Sequence, residues 1–168
     1  MPLLQYFGDA EAKGGKMVSK PTTIEGVLIK EAKRESELLT LQKIMTTPVD
    51  EWPKDGREQQ YQLAQRVRAV RFLLDGPGKT HKLLKDFVPR YMKATIAAGE
   101  AWLAENPVGV PAAQAKTVEE EEAQAKSRSE AGERKHRFIL EKVNAECCKF
   151  SDKDWDQLNR AFAKYLLE

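Results

Sequence analysis

Apolar positions recur at helical spacing through most of this chain, and polar punctuation divides them into segments. Ile24, Val27, Leu28, Ala32, Leu38, Leu41, Ile44 and Met45 predict a first helix that opens at Thr22 or Thr23. Pro21 precedes it, and Thr22 with Glu25 has capping-box spacing. Residues 33–37 are all polar, so this helix should be only partly buried at its middle; Pro48, Trp52 and Pro53 end it and form the connection. A second helix is predicted from Asp55 to Asp75 on the stripe Leu63, Val67, Val70 and Leu74, joined by Tyr61, Ala64 and Leu73. Its polar side carries Arg57, Arg66, Arg68 and Arg71. Asp75-Gly76-Pro77-Gly78 supplies a C-terminal glycine and a proline that stops further helix.

Thr80 can cap a third helix lined by Leu84, Phe87, Val88, Tyr91, Thr95, Ile96, Trp102 and Leu103. Pro89 sits inside this pattern, either kinking it or opening a new helix in its first turn; a kink or break near Val88 is the expectation. Asn106-Pro107 ends the run, and residues 107–116 read as a surface linker without periodicity. Thr117 and Glu120 again match a capping box and start a fourth helix. Until Lys135 this helix offers only alanines for apolar contact, and a helix polar all round is solvent-bridging, partner-covered or marginal. Its second half, with Phe138, Ile139, Leu140, Val143 and Cys147, has a face for a core. The last helix has the strongest signals: Ser151 with Asp154 at its start, Phe150 and Trp155 at hydrophobic-staple spacing, and the face Trp155, Leu158, Phe162, Tyr165 and Leu166.

These segments specify an all-α fold, an irregular bundle of five or six helices with at least one long, partly exposed helix. No stretch alternates with a period of two for long enough to predict a strand, and no internal repeat is present. The chain divides into an N-terminal tail (1–21), a helical part (22–105), a linker (106–116) and a C-terminal pair of helices (117–168), together one domain at 168 residues. Within the tail, Leu3, Leu4, Tyr6 and Phe7 form an apolar cluster ahead of Gly14-Gly15, a pair that resists regular structure.

Charge changes the picture more than overall composition does. From 54 to 93 there are ten Lys/Arg against four Asp/Glu, whereas from 117 to 133 six Glu face Lys126 and Arg128, although the whole chain nets only +2. A chain that segregates charge in this way is suited to docking against partners rather than to turning over a small substrate. The cysteines are adjacent, Cys147 and Cys148, so no disulfide framework is readable and a reducing compartment is expected, with cytoplasm and mitochondrial matrix both open. No apolar run approaches the ~20 residues of a membrane span. The first twenty residues lack a signal-peptide core and an arginine, and Met1-Pro2 reads as a true start.

The candidate chemistry is sparse. Gly78-Lys79-Thr80 has the tail of a phosphate-binding loop, but Leu73 stands where that loop needs glycine and a helix precedes it where a strand belongs. A helix stop followed by a new cap accounts for the same residues. Cys147, Cys148 and His136 lack the ligand number and spacing of a zinc site; on a helix, one thiol should face the core and the other its edge. His81 and His136 lie among lysines and arginines, with no acid placed to orient either ring. No catalytic, cofactor-binding or metal-binding residues are therefore assigned.

The functional expectation is a non-catalytic helical accessory subunit or adaptor of a larger assembly, such as a respiratory or ATP-synthase complex, with other protein subunits as partners. Its candidate partner-binding residues are Leu3, Leu4, Tyr6 and Phe7 of the tail and Glu119, Glu120, Glu121 and Glu122 of the fourth helix. The first alternative is an RNA-binding or ribosome-associated protein using a basic face of Arg66, Arg68, Arg71, Lys82, Lys85 and Arg90, with Lys79 and Lys93 beside it. The second is an enzyme whose site converges only in three dimensions.

Overall fold

The computed structural model describes residues 10–13, 16–19, 22–107 and 117–168, with the backbone alone for 10–13, 16–19 and 120. Among these residues the fold is all-α, built from six helices: α1 (Thr23–Arg34), α2 (Leu41–Thr46), α3 (Gly56–Leu74), α4 (Phe87–Glu105), α5 (Val118–Cys147) and α6 (Asp152–Leu166). One short antiparallel hairpin accompanies them: β1 (Ala10–Lys13) pairs with β2 (Lys16–Ser19), with Lys13 opposite Lys16. Hydropathic periodicity carries no trace of these strands. Four residues are too few to show alternation, and the signal was Gly14-Gly15, a two-residue connection between extended segments. The chain forms two compact units, one of 1–47, 52–88 and 150–168, the other of 48–51 and 89–149.

In the first unit the expected opening helix is two helices. Thr22 caps α1 as predicted, its hydroxyl accepting from the Glu25 N–H at 3.1 Å. The helix then ends in a left-handed residue, Ser36 (φ 61°), with Glu37 N–H donating to Ala32 C=O at 2.8 Å and Ser36 N–H to Lys33 C=O at 3.3 Å. This is the paired bonding of a Schellman termination without its usual glycine. Gln65 of α3 holds the released backbone. Its side-chain oxygen accepts from Leu39 N–H at 2.7 Å and its amide donates to Glu37 C=O at 3.0 Å. Thr40 then caps α2, and Asn159 of α6 accepts a second free N–H at that helix start, from Gln42, at 3.1 Å.

The core of this unit joins Ile29 and Ala32, Leu41 and Met45, Tyr61, Val67 and Phe72, and Trp155, Leu158, Phe162 and Leu166. Phe72 packs edge-on against Phe162, with centroids 5.5 Å apart, and lies beside Tyr165 at 5.6 Å. The last helix matches its prediction closely. Ser151 and Asp154 form a reciprocal capping box, and Phe150 stacks edge-on with Trp155 at 4.9 Å.

Two further expectations fail in the stretch between α3 and α4. Thr80 caps no helix: residues Pro77–Thr80 and Lys82–Leu84 are 3-10 turns, and Asp86 (φ 55°) precedes α4. Pro89 therefore lies in the first turn of α4, where its missing N–H is harmless, and neither kinks nor breaks a helix. Gly76 is a glycine for packing rather than for backbone freedom. Its φ is −91°, and a Cβ there would stand 3.0 Å from Phe72 Cα and 3.1 Å from the Tyr165 ring.

In the second unit α4 and α5 run antiparallel. Trp102 meets Phe138 edge-on at 5.3 Å, and Tyr91, eleven residues earlier, feels Cys147 and Cys148. The turn Val49–Glu51 is tied to the middle of α5, where Arg137 pairs with Asp50 and, at 3.3 Å, with Glu51. By the register of Trp102 on Phe138, α4 ends level with the residues just before Arg137. Residues 118–134 of α5 therefore extend beyond it, about 25 Å of helix.

Candidate interaction surfaces

The arginines assigned to a solvated basic face are mostly inside the first unit. The buried stripe of α1 is Glu25, Ile29 and Ala32, one position round from the apolar stripe read in the sequence, which leaves Ile24 and Val27 exposed. A carboxylate thus enters the core, and it draws two cations after it. Arg71, 1% exposed, pairs directly with Glu25, and Arg68 Nε lies 3.6 Å from its other oxygen. The Arg68 guanidinium also stands over the Tyr165 ring at 5.5 Å. Arg66 lies half-buried over the Trp52 ring at 4.4 Å, and burial lowers its pKa. Trp52 itself is fixed by an indole N–H bond to Thr47 C=O at 3.0 Å. The basic face read in the sequence is corrected accordingly: Lys79, Lys82, Lys85, Arg90 and Lys93 are exposed, while Arg68 and Arg71 neutralise a buried acid.

The other sequence candidates fall in different places. Leu3, Leu4, Tyr6 and Phe7 lie outside the described residues. Glu119, Glu121 and Glu122 are exposed in the first turns of α5, and Glu120 belongs to the same helix. Exposure continues along this helix to Gly132, interrupted only at half-buried Gln124 among the side chains described. What stabilises it is local. Acids at 119–122 complement the helix dipole, and Glu122/Lys126 and Glu130/Arg134 have the i,i+4 order that favours a solvated helix.

Gly78-Lys79-Thr80 forms a turn rather than a phosphate cradle, with Gly78 buried against Phe72. The His81 ring caps the following turn, Nδ1 accepting from Leu83 N–H at 3.3 Å, and His136 is exposed. Among the described residues no cluster of His, Cys, Asp and Glu could hold a metal ion, and no helix is long and apolar enough to cross a membrane.

The two cysteines are free thiols, Cys147 buried and Cys148 half-buried. Burial raises both, and the Cys148 pKa is pushed up to about 12, the neighbouring thiol adding to the effect and Arg90 opposing it. Tyr91 is likewise pushed up to about 12, first by burial. Thiolates are the reactive form, so at pH 8 both thiols should react with an aromatic disulfide reagent at least ~10²-fold more slowly in the folded chain than in denaturant. Prompt modification of Cys148 in the native protein, read by mass spectrometry, would contradict this.

A further feature was hidden in the sequence by a misassigned stripe. The side of α4 that faces inward carries Ala94 and Ala98, with Tyr91 and Trp102 half-buried beside them. Ile96 and Leu103, read as core, are 62% and 45% exposed, and Met92 is 61% exposed. Small alanines gave no hydropathic peak, so the larger residues took their place in the reading.

No family model, curated protein or solved structure matches this chain.

Proposed function

We propose that this protein is a non-catalytic helical accessory subunit or adaptor that docks other proteins. The observation that supports this reading most is the exposed half of α5. Residues 118–134 form a helix whose described side chains are largely in solvent, acidic at its tip, with no apolar stripe of its own to bury. A monomer gains little from ordering such a segment, whereas a partner gains a preformed charged rod. The acidic tip suits a partner with a basic surface, which it would steer into encounter.

Glutamine at 119–122 tests this directly. Native mass spectrometry of extracts from cells that make the chain should place the wild type in species heavier than the chain and its self-assemblies. The four-Gln variant should shift toward free chain, more so at low ionic strength, with the bulk melting transition unmoved because only a solvated helix end is altered. A wild type found only as free chain, or a variant that incorporates equally well, would overturn the reading.

A further inference from the structure

We infer that α4 is also a self-association surface, through which two copies of this chain pair antiparallel. This goes beyond the adaptor reading and does not depend on it. Met92, Ile96, Gly99 and Leu103 lie at i, i+4, i+7 and i+11, so at ~100° per residue they fall within a strip roughly 60° wide. The strip is on a different side of α4 from Ala94 and Ala98, which are already buried. This helix therefore presents two apolar faces and uses one of them within its own unit.

The strip is self-complementary. When two copies of α4 run antiparallel about a two-fold axis between Ala97 and Ala98, Met92 falls opposite Leu103 of the second copy and Ile96 opposite Gly99. The result is four layers, each pairing a large side chain with either another large one or a gap. Lys93 and Glu100 lie on the same flank of the strip, and both are in solvent. Antiparallel pairing sets Lys93 of one copy beside Glu100 of the other, twice by symmetry. Parallel pairing would set this flank of one copy on the opposite side of the seam from the same flank of the other and so make no Lys93–Glu100 pair, which leaves the charge pattern favouring the antiparallel arrangement.

Gly99 is the second observation. A glycine in the middle of a helix is disfavoured relative to alanine. Its φ is not positive, and a Cβ added there would meet nothing within 4 Å, so no contact among the described residues explains it. Opposite Ile96 of a second copy it supplies the hole that the β-branched side chain fills.

A contact of four layers is at the small end of specific interfaces, so the dimer should be weak, with a Kd on the order of 10 µM. Sedimentation equilibrium of the purified chain reads this without any other partner, so the result is independent of the adaptor test. Gly99→Leu fills the hole while favouring the helix, and should give a monomer whose melting temperature is no lower than wild type. Lys93→Glu and Glu100→Lys should each weaken self-association about ten-fold or more, by replacing two attractive pairs with two repulsive ones. Mixing those two variants should restore a heterodimer of wild-type strength. A wild type that stays monomeric to ten times the expected Kd would overturn the proposal. So would a dimer indifferent to Gly99→Leu, or single variants that fail to rescue each other on mixing.

Discussion

Glu25→Ala is expected to destabilise the first unit by about 3–5 kcal/mol, the cost of removing one partner from a buried ion pair. Glu25 is 6% exposed and is shared by Arg71 and Arg68, themselves 1% and 8% exposed. Without its carboxylate, two guanidiniums stay in a medium that solvates them poorly. The folded chain must then admit water or expel an arginine. In thermal unfolding this corresponds to a drop of roughly 6–20 °C in Tm for a chain of this size. The second arm separates charge from shape: Glu25→Leu combined with Arg68→Met and Arg71→Met should recover most of the loss, because apolar residues of similar volume need no counter-ion. Near-ultraviolet circular dichroism, sensitive to Trp52, Trp155 and Tyr165 of the same unit, is the readout. A single Glu25→Ala change costing under about 1 kcal/mol would show that the cluster is solvated and that this account of the core is wrong.

Gly78→Val should cost about 3 kcal/mol, at the upper end of what overpacking usually costs. An added Cβ would lie 2.6 Å from the Phe72 carbonyl oxygen and 2.8 Å from both Cδ1 and Cε1 of its ring. A backbone oxygen in the last turns of α3 has no rotamer to escape into. Phe72, fully buried, is in turn pressed against Phe162 of α6. The strain should therefore pass from the 3-10 turn to the α3–α6 contact. Gly132→Ala is the matched control: nothing lies within 4 Å of its added Cβ, and it should be neutral or stabilising by up to ~1 kcal/mol through helix propensity. Equal melting curves for the two variants would disprove the packing role of Gly78.

Much of the fold was legible because its signals are local. Thr22, Asp55 and Ser151 mark the starts of α1, α3 and α6 where the sequence placed them. Each sits within a few residues of the backbone groups it precedes or satisfies. The long exposed helix was legible for the same reason: a stretch without apolar side chains has nothing to bury, whatever surrounds it. The candidate surface on α4 was not legible, because which of its two apolar faces is inside depends on where α5 packs.

What the sequence determined by itself is the all-α class, most helix starts, the exposed acidic helix and the segregation of charge along the chain. Tertiary structure alone decided three things. Gln65, far along the chain, accepts from Leu39 N–H and donates to Glu37 C=O, which lets α1 and α2 separate at Ser36. Glu25 converts Arg68 and Arg71 from apparent surface cations into buried counter-charges. Phe72 turns the apparent phosphate loop at Gly78 into a packing contact. In the first two cases a polar residue draws its meaning from a partner tens of residues away, and a burial cost can be offset only by a group that folding brings within bonding distance.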